Sequence, residues 1–335
     1  MLTLRKPYLV YLGDATIKSD CKTGFGLRDW CREDVLAEWS HPNGTVTLGL
    51  ERLSPAEAAA RGAGSLIVGV APMGGRLAEH WVGDLEVALE AGLDVVSGMH
   101  TRLATFPRLA AAAATHGVRL VDVRHTGGRY PVATGRKRSG KRVLSVGTDC
   151  ALGKKYTALA LSRALRACGA PATFRATGQT GIMIAGAGIP MDAVVADFLA
   201  GAAEQLTPDN APDHWDVVEG QGSLLHPAYA SVTLGLLHGS QPDAIVLCHD
   251  PERLTIEDCP GYTIPPLAEV IDLYLRAGRL TNPAIRCVGL SINSSSLGQS
   301  AWDEYRTRLS RELGLPVCDP LRTGVDPLAA ALLER

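Results

Sequence analysis

Val143-Leu144-Ser145-Val146-Gly147-Thr148-Asp149-Cys150-Ala151-Leu152-Gly153-Lys154-Lys155 reads as a buried strand, a glycine-bounded loop and a helix opened by Gly-Lys. Glycines let the backbone approach an anion, the first amides of a helix are free to donate to it, and Lys154 adds a point charge. This is the recipe of a phosphate cradle. It selects Gly147, Thr148, Cys150, Ala151, Leu152, Gly153, Lys154 and Lys155 as residues that hold a phosphorylated ligand. One position departs from the nucleotidase pattern: Lys155 stands where a Ser or Thr would hold magnesium. Thr157, three positions after Lys154, points elsewhere on the helix. A phosphate site without its metal-holding hydroxyl needs an explanation.

The pattern around this stretch alternates strand and helix. Ala172 to Ala176, Val217-Val218, Ala244 to Cys248 and Arg286 to Ile292 read as further strands. Lys154 to Cys168, Asp192 to Gln205, Ser231 to His238, Leu267 to Ala277 and Ala301 to Leu313 read as helices. The first part of the chain behaves alike, with strands at Tyr8 to Leu12, Val46 to Leu48, Leu66 to Val70, Asp94 to Val96 and Leu120 to Val123. Helices are expected at Pro55 to Arg61, His80 to Ala91 and Pro107 to His116. Such alternation implies parallel sheets with right-handed crossovers, an α/β protein throughout. No intact Gly-x-Gly-x-x-Gly follows the first strand, so a dinucleotide site has little support there. The basic run between Ala133 and Arg142 reads as an exposed linker, because charge runs are usually solvated. It places the domain boundary near residue 139, giving domains 1–138 and 139–335.

Composition narrows the function classes. A hydrophobic share of 46% over 335 residues leaves ample material for roughly two cores. The net charge of −2 argues against a general nucleic-acid binder. No apolar run approaches the roughly 18 residues of a membrane helix, and Met1 to Lys6 lacks a signal-peptide apolar region. Eight scattered cysteines without Cys-x-x-Cys spacing fit a reduced, cytoplasmic protein with no zinc site. No nucleic acid, membrane or metal partner is expected.

Several strand ends carry chemistry. Glu219 closes the run Trp215-Asp216-Val217-Val218-Glu219-Gly220-Gln221-Gly222-Ser223, with glycines beside it and His226 on the same loop. An acid there would hold magnesium or accept a proton from an amine, and Lys155 favours the second role. Asp149 and His226 are the other candidate catalytic groups. Thr177-Gly178-Gln179-Thr180-Gly181 is a second polar, glycine-rich loop offering Gln179 and Thr180 to a substrate. Arg253, beyond Cys248-His249-Asp250, suits a carboxylate, and Arg175, Arg76 and His100 are further candidates by position. Cys150 near a helix N-terminus makes a covalent acyl-cysteine conceivable, although a small residue filling the loop is the simpler reading.

Taken together, Gly147-Thr-Asp-Cys-Ala-Leu-Gly-Lys154, Thr177-Gly-Gln-Thr-Gly181, Glu219-Gly-Gln-Gly-Ser223 with His226-Pro227, and Ile264-Pro-Pro-Leu267 resemble the two-domain family that contains D-glutamate N-acetyltransferases. Ala71-Pro72-x-Gly74-Gly75 and Ser97-Gly98-x-His100 extend the resemblance over nearly the whole chain. The Gly-Thr-Asp…Gly-Lys spelling is also similar to the loop of dethiobiotin synthetases. The resemblance implies an N-terminal Rossmann-like domain and a C-terminal P-loop NTPase-like domain. It further implies acetyl-CoA as donor, D-glutamate as acceptor and a place in D-amino acid catabolism; a homo-oligomer is expected. Coenzyme A carries phosphates while its thioester needs no phosphoryl transfer, which accounts for a loop that keeps Lys154 and lacks the hydroxyl. The alternative is an ATP-dependent ligase or kinase of the dethiobiotin synthetase type, which Lys155 disfavours. A nucleotide-binding regulator without turnover is a third reading.

Overall fold

A computed structural model describes residues 2–70, 75–125 and 128–334. Ala71, Pro72, Met73 and Gly74 of the family-like motif lie outside the described residues. The chain forms two compact units: Met1–Gly128 together with Gly178–Ala193, and Arg129–Thr177 together with Val194–Arg335. The boundary expected near 139 falls inside the second unit, and Gly178–Ala193, expected in the C-terminal domain, groups with the first.

The first unit contains a parallel five-stranded sheet in the order Val35–Trp39, Tyr8–Tyr11, Ser65–Val68, Asp94–Ser97, Leu120–Asp122. Its central strands are buried on both faces, as continuous Val/Ile/Leu runs require. Helices Pro55–Ala60, Val82–Glu90 and Pro107–His116 supply crossovers. The first of these starts at a capping box made by Ser54 and Glu57.

One expectation fails in this unit, and two elements escape the sequence pattern. Val46 to Leu48 is not a strand. The edge strand is Val35–Trp39, and its fully buried Glu38 disguises it as a polar segment. The Glu38 carboxylate accepts from the Leu48 amide at 2.7 Å and the Thr47 hydroxyl at 2.6 Å, which holds 46–48 as an irregular connection. The helix Lys22–Trp30 lacks a helical sequence signature, because two glycines interrupt its apolar period.

Gly178–Ala193 is not the loop expected at Thr177–Gly181. Gln179–Ala185 is helical, and Ala187–Gly188 pairs antiparallel with Leu2–Thr3. The amide of Leu4 donates to the Gly186 carbonyl at 2.8 Å, completing this attachment. Of the helix expected over 192–205, only Leu199–Leu206 is α-helical.

The second unit is built on six parallel strands in the order Val317–Cys318, Arg286–Ile292, Ala244–His249, Lys141–Gly147, Trp215–Val218, Ala172–Arg175. Lys141–Gly147 lies between strands that come later in the chain, so the order reverses at its end. That is the switch point at which open α/β sheets bind ligands. The helix Lys154–Ala167 buries Thr157, Ala158, Leu161 and Leu165, a spacing of one, three and four that makes a single stripe. The stripe packs into a core with Val143, Val217, Val246 and Leu328.

The basic run is not a solvated linker throughout. Arg142 is fully buried, and Arg138 nearly so. Arg138 donates to the carbonyls of Thr207 and Gly239, both at 2.6 Å, and Arg142 donates to those of Arg138 and Ser139. Thr207 and Gly239 stand at helix C-terminal ends, where carbonyls lack intrahelical partners and attract cations. Among the described residues no helix is long and apolar enough to cross a membrane.

Candidate active site: the phosphate loop and its acid

The loop after Lys141–Gly147 takes the expected shape. Gly147 lies so close to Lys154 that a Cβ there would sit 3.1 Å from the ammonium nitrogen. Gly153 has φ +96°, a left-handed conformation that favours glycine whatever the room around it. Lys154 opens the helix with its side chain buried, and its ammonium donates to the Asp149 carbonyl at 2.6 Å. No carboxylate pairs with it among the described residues. Burial pulls its pKa down. A buried, unpaired ammonium is costly, and an anion seated on the first amides of the helix would relieve that cost.

Neighbouring elements brace the loop. Tyr274, on the helix Leu267–Arg279, donates to the Gly147 carbonyl at 2.7 Å and accepts from the Leu224 amide at 3.1 Å. Burial pushes its phenol up to about 12, so it remains a donor. The Thr148 hydroxyl meets His249 Nδ1 at 3.0 Å, and burial lowers that imidazole to about 4, keeping it neutral. The Thr157 hydroxyl pairs with that of Ser291, 2.7 Å distant, and donates to the Gly153 carbonyl one turn back at 3.2 Å. Tyr274 could not be found by motif, since an aromatic in an amphipathic helix reads as core.

Asp149 is fully buried and committed. Its carboxylate accepts from the Arg253 guanidinium at 2.8 Å, the Glu257 amide at 2.8 Å and the Cys150 amide at 2.6 Å. Burial alone would raise its pKa, but these donors more than offset it and hold the carboxyl below its ordinary value. Arg253 also reaches Glu257 at 3.2 Å. The two residues read as base and substrate anchor therefore hold each other. Arg175 is similarly engaged, with Nε 2.8 Å from buried Asp216.

Glu219 is also buried. One carboxylate oxygen accepts from the Thr177 amide at 2.9 Å, and the Thr177 hydroxyl donates to the Glu219 carbonyl at 2.7 Å. Gly220 next to it is obligatory: a Cβ there would lie 1.7 Å from the Ser145 carbonyl oxygen. Lys155 feels this acid. Burial lowers its ammonium pKa, and the Glu219 charge acts in the opposite sense. Where a P-loop nucleotidase sets a hydroxyl for magnesium, this chain sets an ammonium beside an acid.

His226 is buried, caps its own turn by accepting from the Ala228 amide at 3.1 Å, and lies against the Tyr229 ring. Asp149, Cys150 and His226 form a cluster, one ligand-type atom from each lying within 4.8 Å of the others. The Asp149 oxygens already serve Arg253 and two amides, which leaves a poor ligand set for a cation. Cys150 is half-buried, and burial raises its thiol above the ordinary value. Beside the loop, Ala151, Tyr156, Ile292, Asn293, Pro320 and Leu321 line a mainly apolar cavity of about 150 Å3.

The remaining candidates belong to the first unit. His100, Gln179 and Thr180 line one cavity of about 270 Å3, together with Thr23 and Arg124, which sequence reading did not select. Arg124 follows a strand end outside any motif, so no local signal marks it. Arg76 is exposed.

The P-loop domain of the family described as a domain of unknown function, DUF1611, matches residues 131–329, and its Rossmann-like N-terminal domain matches 41–126. A protein named D-glutamate N-acetyltransferase from Tritonibacter scottomollicae is 46% identical over 329 residues, 98% of this chain and 99% of its own. Another of that name from a Pseudoalteromonas species is 44% identical over 331 residues, 99% of this chain and all of its own. The crystal structure of a DUF1611 family protein from Anabaena variabilis superposes with a TM-score of 0.84 at 35% identity, covering 98% of this chain and 100% of that one.

Proposed function

The chain belongs to the DUF1611 family, and from that membership we propose that it is an N-acetyltransferase that moves the acetyl group of acetyl-CoA to the amino group of D-glutamate. One observation carries the donor half of this reading: the Gly147–Lys155 loop keeps a buried ammonium for an anion yet has Lys155 in place of the metal-holding hydroxyl. Lys154 and the first amides of its helix take the donor's phosphates. The apolar cavity at Tyr156, Ile292 and Leu321 suits its adenine ring.

Glu219 is the base. It takes a proton from the ammonium of the acceptor, and the freed amine attacks the thioester carbonyl. Loop amides offset the charge that develops on the carbonyl oxygen. The carbon–sulfur bond then breaks, the leaving thiolate takes the proton held by Glu219, and the second proton of the attacking nitrogen passes to the freed Glu219 carboxylate and on to solvent as the amide forms. The thioester is already activated towards an amine, so the chemistry calls for no phosphoryl transfer and no magnesium. The setting is cytoplasmic, where acetyl-CoA is available.

The test is calorimetric titration of acetyl-CoA and ATP with EDTA and with magnesium, followed by free-thiol release over a panel of D- and L-amino acids. Acetyl-CoA should bind in EDTA, and D-glutamate should release thiol fastest. ATP binding that demands magnesium, without acetyl-CoA binding, would turn the reading towards an ATP-dependent ligase or kinase.

A further inference from the structure

We infer that the cavity of the first unit is a carboxylate-recognition site for the acceptor amino acid, with Arg124 as its specificity-determining residue; this rests on the acetyltransferase reading above. The cavity opens at the carboxyl ends of Ser65–Val68 and Asp94–Ser97, where parallel sheets place ligands. Its volume of about 270 Å3 lies just below the range of roughly 300 to 1,000 Å3 for drug-sized ligand sites, fit for an amino acid and too small for a nucleotide.

Arg124 is preorganised. Its Nε donates to the Gly98 carbonyl at 2.8 Å and its Nη1 to Asp192 at 2.7 Å, which fixes the guanidinium plane. Its Nη2 has no partner among the described residues. Asp192 also accepts from Gln179 Nε2 at 2.8 Å, so one carboxylate locks two cavity residues. The Thr23 and Thr180 hydroxyls stand 3.4 Å apart on the same wall. A fixed guanidinium with Nη2 free, the Gln179 amide and the threonine hydroxyls form a set of donors that matches a carboxylate oxygen. Val68, Val70 and Met183 supply an apolar wall for the methylenes between two carboxylates. In the chain, Gln179 follows two residues after Thr177, whose amide holds Glu219.

The experiment compares wild type with R124Q and R124K, using D-glutamate and D-glutamine as acceptors. In R124Q the KM for D-glutamate should rise about tenfold to a hundredfold, as for the loss of a charge-assisted bond. The KM for acetyl-CoA should not change. Preference for D-glutamate over D-glutamine should collapse in R124Q and recover in part in R124K. A structural role for Arg124 would lower the melting temperature without altering that preference. Unchanged KM and preference in R124Q overturn the inference while leaving the acetyltransferase reading intact. If the wild type acetylates no D-glutamate, that reading falls, and direct titration of D-glutamate decides the cavity alone. Binding to wild type and not to R124Q supports the site; equal binding, or none to either, overturns it.

Discussion

The phosphate loop and the cavity beside Gly98 both lie at carboxyl ends of parallel strands, yet they are assembled in opposite ways. The loop runs through consecutive residues from Gly147 to Lys155, and among the described residues its buried Lys154 ammonium is hydrogen-bonded to a backbone carbonyl and to no carboxylate. The cavity draws on segments far apart in the chain, at Thr23, Gly98, Arg124 and Gln179, and its arginine is already held by a carboxylate. An anion at the loop supplies what folding left missing there. At the cavity, folding engages most of the arginine donors and leaves one guanidinium nitrogen for recognition. The first arrangement favours tight binding of a phosphate, the second discrimination among small carboxylates.

The largest expected effect tests whether chemistry belongs to the loop side. Glu219→Gln keeps the shape of a buried side chain that accepts from the Thr177 amide, but removes the proton acceptor. Turnover should fall about 10²- to 10⁴-fold, with little change in donor binding. The deficit should shrink from pH 7 to pH 10, since the acceptor amine then loses its proton to solvent. Wild-type turnover across that range would move the base to another residue, with His226 the next to test.

Lys154→Ala comes next and separates the two regions directly. The KM for acetyl-CoA should rise about tenfold to a hundredfold, as loss of a charge-assisted contact implies. The KM for the acceptor should stay unchanged. If both rise together, the loop and the cavity do not divide the two substrates between them.

How far each region was legible follows from its construction. The loop declares itself because glycine, lysine and strand must be contiguous for the backbone to cradle an anion. Glu219 declares itself through the glycines that make room for it. Arg253, Arg175 and Asp149 were also conspicuous, yet each found an internal partner, and a sequence cannot show which charges cancel. Val35–Trp39 was concealed by a buried glutamate, and Lys22–Trp30 by two glycines. Arg124 has no local signature, because its role depends on contacts with Gly98 and Asp192 that only tertiary structure creates.

Arg253→Ala sharpens the point about cancelled charges. Removing it strands the buried Asp149 carboxylate, so unfolding free energy should drop by about 3 kcal/mol in urea denaturation. The sign of the pH effect follows from the depressed Asp149 pKa. As pH falls below the ordinary carboxylate value, the unfolded chain takes up the proton first and stability declines. The variant should lose part of that acid-side slope. Its acceptor KM should not move. A raised acceptor KM at unchanged stability would restore Arg253 as a substrate anchor.

The smallest effect is expected at Cys150, and a null result there is informative. Its position near a helix N-terminus and His226 suggests a nucleophile that would carry the acetyl group between substrates. Burial works against this by raising the thiol pKa, so the group remains protonated at neutral pH, where the thiolate is the reactive form. Direct attack by the acceptor amine on the thioester then needs nothing from this side chain. Cys150→Ala should retain turnover, and intact-protein mass measurement after mixing wild type with acetyl-CoA alone should show no acetyl adduct. Alkylation of Cys150 by iodoacetamide should accelerate only at a pH above that of an ordinary thiol. An adduct that forms on Cys150 and disappears when D-glutamate is added would replace direct transfer by a two-step relay, and Glu219 would then serve only the second step.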